Sequence, residues 1–246
     1  MFSVTSLFKA CLGLGSFLKA PMVEAQPRAA EPADAPAPTS PPVMVPIRAI
    51  GPSERERIAQ HLLALGPHDR HLRFGYQASD AQIRHYVDGI DFERDAVFGI
   101  HNRHLDLIAM AHLAYAPAEQ AQDCAEFGVS VAEHARGRGY GTRLFERAVV
   151  AARNEGVGML FIHALSENAA MLKIARQGGA TVAHSGSEAE AHLELPAATL
   201  DSRMTEIALQ HFAQVDFQLK TRAKQFWSFL AGMQAARAAW RAEGRD

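Results

Sequence analysis

The sequence predicts a mixed α/β domain, a sheet with helices on both faces, and three observations carry that expectation. The chain has 246 residues, 48% of them hydrophobic, which permits one domain of ordinary size plus appendages. Apolar runs with strand and helix periods follow one another in the order β-α-α-β-β-β-α-β-α-β-β. At the centre of that order a strand, a glycine-rich turn and an amphipathic helix stand in immediate succession between Glu126 and Glu155. In the strand, Glu126 to Val131, residues Phe127, Val129 and Val131 fall on one face and Glu126, Gly128 and Ser130 on the other. From Leu144 the period becomes helical, through Phe145, Ala148, Val149 and Ala152, and Asn154-Glu155-Gly156 supplies the stop.

The other elements follow in order. Val43 to Ile50 reads as a strand in which Pro46 suggests an edge. Ser53 is expected to cap a helix running to Leu65, with Glu54 and Glu56 near its positive end and Ile58, His61, Leu62 and Leu65 buried. Gly66 to Gln77 reads as a loop. Its His68-Asp69-Arg70-His71 cluster matches no metal-site spacing, so no metal is expected. Ser79 caps the next helix, with Ile83, Tyr86 and Val87 facing inward. Ala96 to Ile100 and Leu105 to Tyr115 form a hairpin through His101-Asn102-Arg103-His104, and Pro117 to Asp123 is the following loop. Met159 to Leu165 is a second apolar strand, and Ala180 to His184 and Glu190 to Leu195 pair around Ser185-Gly186-Ser187.

Composition excludes some functions. A net charge of −2 argues against a nucleic-acid binder. Cys11 and Cys124 are the only cysteines, so a disulfide framework is not expected and a reducing compartment is the default. No apolar run approaches the roughly 18 residues a membrane span requires. The patch Cys11 to Leu18 is interrupted by Gly13 and Gly15, and Lys19 sits beside the one cleavage site, at Ala20. It therefore reads as a weakly helical or disordered leader rather than a secretory signal. A Pro- and Ala-rich linker follows, giving three regions: a leader and linker at 1–42, a domain at 43–199 and a C-terminal helix at 200–246.

Chemistry concentrates in Arg136-Gly137-Arg138-Gly139-Tyr140-Gly141, where glycines let backbone N–H groups turn inward at the positive end of a helix. That is a cradle for a phosphate or pyrophosphate, with Arg136 and Arg138 adding charge. A Walker-type loop would end Gly-Lys-Ser/Thr, whereas this one ends Gly141-Thr142-Arg143. A dinucleotide fingerprint would place its third glycine one residue later and an acid near Val157 to Phe161, which is apolar. The loop instead resembles the Arg/Gln-x-x-Gly-x-Gly/Ala signature of the GNAT superfamily of acyl-CoA-dependent N-acyltransferases, through Arg136, Gly139 and Gly141. The stretch Glu167-Asn168-Ala169-Ala170-Met171 through Gly178-Gly179-Ala180 is similar to the family's next helix. These motifs cover Glu126 to Ala180, and the flanking strands extend the resemblance from Val43 to Leu195.

The resemblance implies a mostly antiparallel sheet whose strands at Glu126 to Val131 and Met159 to Leu165 splay apart to admit the pantetheine arm of acetyl-CoA, the co-substrate. It implies that Val129, Ser130 and Val131 meet that arm and supply an oxyanion donor, a contribution often worth about 3 to 4 kcal/mol. By the same resemblance Arg136, Gly137, Arg138, Gly139, Tyr140, Gly141 and Thr142 hold the pyrophosphate, and Asn168 belongs to the cofactor site. Direct attack by a primary amine needs a base, and Glu126 is the candidate, set against a plain strand-end glutamate. His163 is a second candidate. Many relatives carry a tyrosine seven residues after the asparagine to protonate the leaving thiolate. Here that position is Ala175, which leaves water or Ser166 for the task. The departure also leaves open a non-catalytic acyl-CoA-binding sensor, and Cys124 as nucleophile is disfavoured because no base neighbours it in sequence. Leu72-Arg73-Phe74 resembles a segment of some bacterial protein-lysine acetyltransferases, which keeps a protein lysine beside small amines as acceptor. An acetyl-CoA enzyme is expected in the cytoplasm.

The tail lies outside the family pattern. Ala208, Phe212, Val215, Leu219, Arg222, Phe226, Phe229, Met233, Ala236 and Trp240 alternate steps of four and three, a heptad seam with one charged exception. Such a stripe packs on its own domain, lies on a membrane surface through Lys220, Arg222, Lys224, Arg237 and Arg241, or mediates self-association or partner docking. The expectation is the last of these.

Overall fold

The computed structural model describes residues 45–117 and 123–243, with side chains of the C-terminal helix described to residue 225 and at Ser228. The leader, most of the linker, Cys11, the middle of the loop after Pro117 and the distal seam side chains lie outside the described residues. Seven strands form one sheet: β1 (Arg48–Ala49), β2 (Ala96–His101), β3 (Leu107–Tyr115), β4 (Cys124–Val131), β5 (Met159–Leu165), β6 (Thr181–Ser185) and β7 (Glu188–Glu194). Their order is β1-β2-β3-β4-β5-β7-β6, and every neighbouring pair is antiparallel except β4 with β5. The helices are α1 (Arg55–Leu63), α2 (Pro67–Phe74), α3 (Asp80–Asp88), α4 (Tyr140–Asn154), α5 (Ala169–Gln177) and α6 (Leu200–Glu243).

Alternation along the central strands feeds two cores. On one face α1 and α3 set Ile58, Leu62, Ile83 and Val87 against Val97, Leu107 and Met110. On the other, α4 sets Leu144 and Phe145 against Phe127, Leu160 and Ile162, with Phe127 and Phe145 edge to face at 5.2 Å. This is the expected mixed, mostly antiparallel sheet with helices on both faces.

Local chemistry overrides four of the sequence expectations. Gly66 to Gln77 is not a loop: Pro67 at the first helical position, Asp69 in the first turn, His71 and Arg73 in the last and Gly75 as a left-handed cap (φ 77°) define α2. Ser53 makes no cap bond. Pro52 instead starts a short 3-10 turn, Pro52–Glu54, and α1 begins at Arg55. Among the described residues the first strand spans only Arg48–Ala49, with Ile50 N–H adding a bond to Val97 C=O (2.8 Å), and Pro46 has no N–H for the ladder. In the hairpin, Asn102 Oδ1 accepts from the N–H groups of His104 and Asp106, Leu105 turns to φ 67°, and β3 starts at Leu107. The expected cap at Ser79 is present, and Gln82 completes it as a capping box.

The C-terminal segment is one continuous helix of 44 residues, and Gly232 does not break it. It docks on the domain through Ser202, Glu206, Ala213, Phe217, Lys220 and Lys224. Phe217 receives Arg48 at 3.9 Å and His101 edge-on at 5.3 Å.

Candidate active site

The site begins where two strands part. The parallel pairing of β4 with β5 runs through Cys124↔Met159, Ala125↔Leu160 and Glu126↔Phe161 and stops there. β4 keeps its antiparallel partner β3 as far as Val131↔Ala109, while β5 keeps β7 as far as Leu165↔Glu188. Each strand follows its other neighbour, so the sheet opens into a V between residues 127–131 and 162–165.

Backbone direction decides what faces the opening. Ala132 N–H donates to Ile108 C=O (2.9 Å) and Ala116 N–H to Cys124 C=O (3.0 Å), so the even-numbered residues of β4 bond to β3. The N–H and C=O groups of Phe127, Val129 and Val131 therefore point toward the gap. Consistent with this, the Val131 carbonyl accepts from Arg136 Nε (3.4 Å). Ser130 contributes neither group to the gap. Its backbone serves β3, and its buried hydroxyl bonds to His61 Nε2 (2.9 Å), whose Nδ1 lies 2.9 Å from Leu107 C=O. Burial pushes His61 down to about 4, so the ring is neutral, donating from Nδ1 and accepting from Ser130 at Nε2.

At the open end of the V lies the glycine-rich turn. A 3-10 turn, Glu133–Ala135, leads to Gly137 (φ 75°) and Gly139 (φ 73°), conformations that an L side chain strains, and α4 starts at Tyr140. Gly139 is the N-cap residue and no side chain caps the helix, so the first-turn N–H groups of Tyr140, Gly141 and Thr142 remain available. Arg136 forms an ion pair with Asp69 of α2 at 2.5 Å, whereas Arg138 is exposed and has no ion-pair partner among the described residues. Gly141 serves packing: a Cβ there would meet Ile174 of α5 at 2.9 Å. Asn168 caps α5 by accepting from Met171 N–H (3.1 Å) and donates to Leu72 C=O (3.4 Å), which ties α5 to α2. Ser166 donates to the carbonyls of Gly186 and Glu188 and so serves the β6–β7 turn, while Ala175 is fully buried in the core.

Glu126 sits at the vertex, on the last rung before the strands separate. Burial raises its pKa above the usual carboxylate range, against the opposing charges of His163, Arg73 and His112. His163 is on β5, two residues beyond the rung and on the same sheet face. Beside Glu126 runs a hydrogen-bonded chain that local sequence patterns did not reveal. Arg73 Nη2 donates to Tyr86 Oη (2.8 Å), Tyr86 Oη lies 2.6 Å from His112 Nδ1, and His112 Nε2 lies 3.2 Å from Asp95 Oδ2, which Arg94 also holds at 2.9 Å from Oδ1. His112 donates from Nε2 to the Asp95 carboxylate, and Tyr86 Oη accepts from Arg73. Burial raises the Tyr86 hydroxyl, with Glu126 adding to the effect. For Asp95, burial acts upward but the bonds from His112 and Arg94 outweigh it, so its pKa is lowered. The only hints in sequence were a histidine inside an otherwise apolar strand and an aspartate opening its neighbour. Among the described residues no group of three or more His, Cys, Asp or Glu side chains is arranged to hold a metal ion, and no helix is long and apolar enough to cross a membrane.

A sheet that parts beside an uncapped helix N-terminus is the arrangement that the resemblance to the GNAT superfamily implies, and comparison with known proteins agrees. Residues 68–179 match the model of the acetyltransferase (GNAT) family. The chain thus carries a domain that belongs to the GNAT superfamily. The GNAT domain of Streptomyces lividans PAT has a similar structure, with a TM-score of 0.52 at 19% identity over 61% of this chain and 89% of that one. A GNAT-family acetyltransferase from Streptococcus pneumoniae has a TM-score of 0.50 at 10% identity over 61% and 98%. At such identities the likeness is one of fold. No curated protein sequence matches the chain significantly.

Proposed function

We propose that the chain is an N-acetyltransferase that moves an acetyl group from acetyl-CoA to a primary amine, a small molecule or a protein lysine, by direct attack. The observation that carries this reading is the gap between β4 and β5, lined by the backbone of Val129 and Val131 and ending at the uncapped start of α4. A pantetheine arm is an amide chain that needs backbone partners along a strand, and a pyrophosphate needs N–H donors and positive charge. The residues fit both. Val129 and Val131 bond the arm, Gly137 to Thr142 with Arg138 hold the pyrophosphate, and Arg136 shares itself between Val131 and Asp69. Asn168 and Gly141 support that loop by packing and capping. No metal is called for.

An amine of pKa near 10 arrives protonated at neutral pH, and Glu126 takes its proton, directly or through water. The nitrogen then attacks the carbonyl carbon, the N–C bond forms, the C–S bond breaks, and the adduct nitrogen releases its surplus proton to water. The Val129 N–H faces the gap and serves as the oxyanion donor. The thiolate leaves with a proton from water, because Ala175 is sealed in the core and Ser166 is committed to the β6–β7 turn. A thiol of pKa about 8.5 leaves acceptably without a dedicated acid. The absence of an acid at residue 175 also leaves room for a second reading, an acyl-CoA sensor. Supply of acetyl-CoA favours the cytoplasm as the site of action.

Two measurements test this reading. Gly139→Val places a β-branched residue at φ 73° in the cradle, and calorimetry should show acetyl-CoA affinity falling about 10-fold or more in a folded protein. Unchanged affinity would put the pyrophosphate elsewhere. A turnover assay over amines and lysine peptides should find an acceptor, whereas tight acetyl-CoA binding with no turnover selects the sensor.

A further inference from the structure

We propose that Arg73 forms a subsite for an oxyanion carried by the acceptor, a carboxylate or a phosphate-type group a few atoms from the amine. As an acceptor subsite, it rests on the acyltransferase reading. The first observation is how closely the guanidinium lies on β4. A Cβ at Gly128 would come within 2.7 Å of Arg73 Nη2, 2.8 Å of Cζ and 3.0 Å of Nη1, so the glycine makes the room the guanidinium occupies. Gly128 is two residues from Glu126 on the same face; Glu126 is on the last rung that β4 shares with β5, and Gly128 lies just beyond it.

The second observation is charge. Arg94 and Asp95 neutralise one another, and His112 is engaged by Asp95 at Nε2 and by Tyr86 at Nδ1. Arg73 has no carboxylate within ion-pair distance among the described residues. Tyr86 takes one N–H of its fork, and the remaining donors are left for a planar oxyanion, which the guanidinium recognises bidentately. The third observation is rigidity. Tyr86 is held by His112, His112 by Asp95 and Asp95 by Arg94, while the guanidinium also lies 5.4 Å from the Tyr86 ring. A flexible arginine is thus fixed in place before any ligand arrives.

Glu126 and the glycine over which the Arg73 guanidinium lies, Gly128, are about 6.6 Å apart along the strand, taking 3.3 Å per residue, so a negative and a positive charge stand near one another. A zwitterionic acceptor aligns with that pair in one sense only, amine toward Glu126 and oxyanion toward Arg73. The same arrangement could serve merely to keep Glu126 ionised, and the experiment separates the two roles.

The CoA-saturated protein is titrated calorimetrically with glycine, β-alanine and 4-aminobutanoate, with their carboxamides, and with 2-aminoethylphosphonate. Turnover with acetyl-CoA is measured for the same compounds. The expected result is about 10-fold or more tighter binding of at least one acid than of its carboxamide, the size of a charge-assisted pair. The phosphonate ranks the two oxyanion sources. Arg73→Gln should bring acid and carboxamide within about 2-fold, and Arg73→Lys should keep part of the preference. Gly128→Ala should act like Arg73→Gln, because its methyl displaces the guanidinium tip without touching the core. Equal binding of acid and carboxamide by the wild type overturns the subsite, as does a preference that survives Arg73→Gln. Should Arg73→Gln lower turnover of acid and carboxamide alike and move the acid limb of both pH profiles, Arg73 serves Glu126 and the proposal fails. An oxyanion preference with no turnover of any amine would leave the subsite standing and end the acyltransferase reading. Turnover of neutral amines with no preference would do the reverse.

Discussion

At the scale of single residues the chemistry turns on one buried carboxylate and the charges around it. Burial raises the pKa of Glu126, opposed by His163, Arg73 and His112, so the residue takes up a proton at higher pH than a free glutamate. A base must be ionised to act. The acid limb of kcat/KM is therefore expected above the ordinary carboxylate range, with activity falling as pH drops through that raised value. Linkage has the corresponding sign: the folded state holds this proton more tightly than the unfolded chain, so ionised Glu126 costs stability above its folded pKa and the cost disappears below it. Glu126→Gln should accordingly keep or raise the melting temperature at pH 7, lower turnover about 100-fold or more and flatten the acid limb. A Gln variant with an unaltered rate and profile would transfer the role, His163 being the next group on that face. Glu126 and the glycines were legible because a strand, a turn and a helix in sequence leave local signals. The chain from Arg73 through Tyr86 and His112 to Asp95 was not, because its members come from α2, α3, β3 and the edge of β2, and the sheet alone brings them together. Tyr86 looked like core. Its ring is half-buried against the core, but its hydroxyl is what positions Arg73.

At the scale of elements, strand boundaries read well where apolar runs are bounded by turns: Met159–Leu165 is the strand its sequence suggests. α2 was hidden because its eight residues bury no side chain and so carry no core-facing stripe, leaving only Pro67, Asp69 and Gly75 as signals. The contact between α4 and α6 was invisible for another reason. Arg147 is a long polar residue that periodicity assigns to no particular neighbour. It is buried, stacked over Phe98 at 4.5 Å and paired with Glu206 at 2.8 Å. Asn154 adds bonds to Glu206 (2.5 Å) and to Ser202, whose hydroxyl donates back at 2.7 Å. Removing the partly exposed partner leaves a buried charge uncompensated. Glu206→Ala should therefore destabilise by about 3 kcal/mol, whereas Arg147→Met with Glu206→Ala should recover most of that loss. Thermal unfolding of the two variants decides it, and equal melting temperatures for Glu206→Ala and wild type would show that the pair contributes nothing net.

At the scale of the whole molecule the long helix is what the domain does not account for. Its docked face uses Ser202, Glu206, Ala213, Phe217 and Lys220, while Met204, Ile207, Phe212, Val215 and Leu219 on other faces stay 39–65% exposed. The heptad seam read from the sequence is therefore not the face that packs on the domain, since Ala208, Phe212, Val215, Leu219 and Arg222 all lie exposed. A membrane role through the basic residues loses two of them, as Lys220 and Lys224 donate to the carbonyls of His101 and His104. Contact with the domain runs from Ser202 to Lys224, about 33 Å at 1.5 Å per residue, and the helix continues about 28 Å further to Glu243. The sequence keeps the same four-three spacing over that extension, through Phe226, Phe229, Met233, Ala236 and Trp240. A spacing of 3.5 residues sustained for more than four heptads favours pairing with an identical helix, which presents the same seam in register. Sedimentation of the full chain should show a dimer at micromolar concentration. Val215→Glu with Leu219→Glu, which leaves the docked face intact, should return the monomer with little change in melting temperature. A wild-type chain that stays monomeric up to about 100 μM, where even a weak coiled coil of this length would associate, would refute self-association and leave the seam without a second copy to cover it.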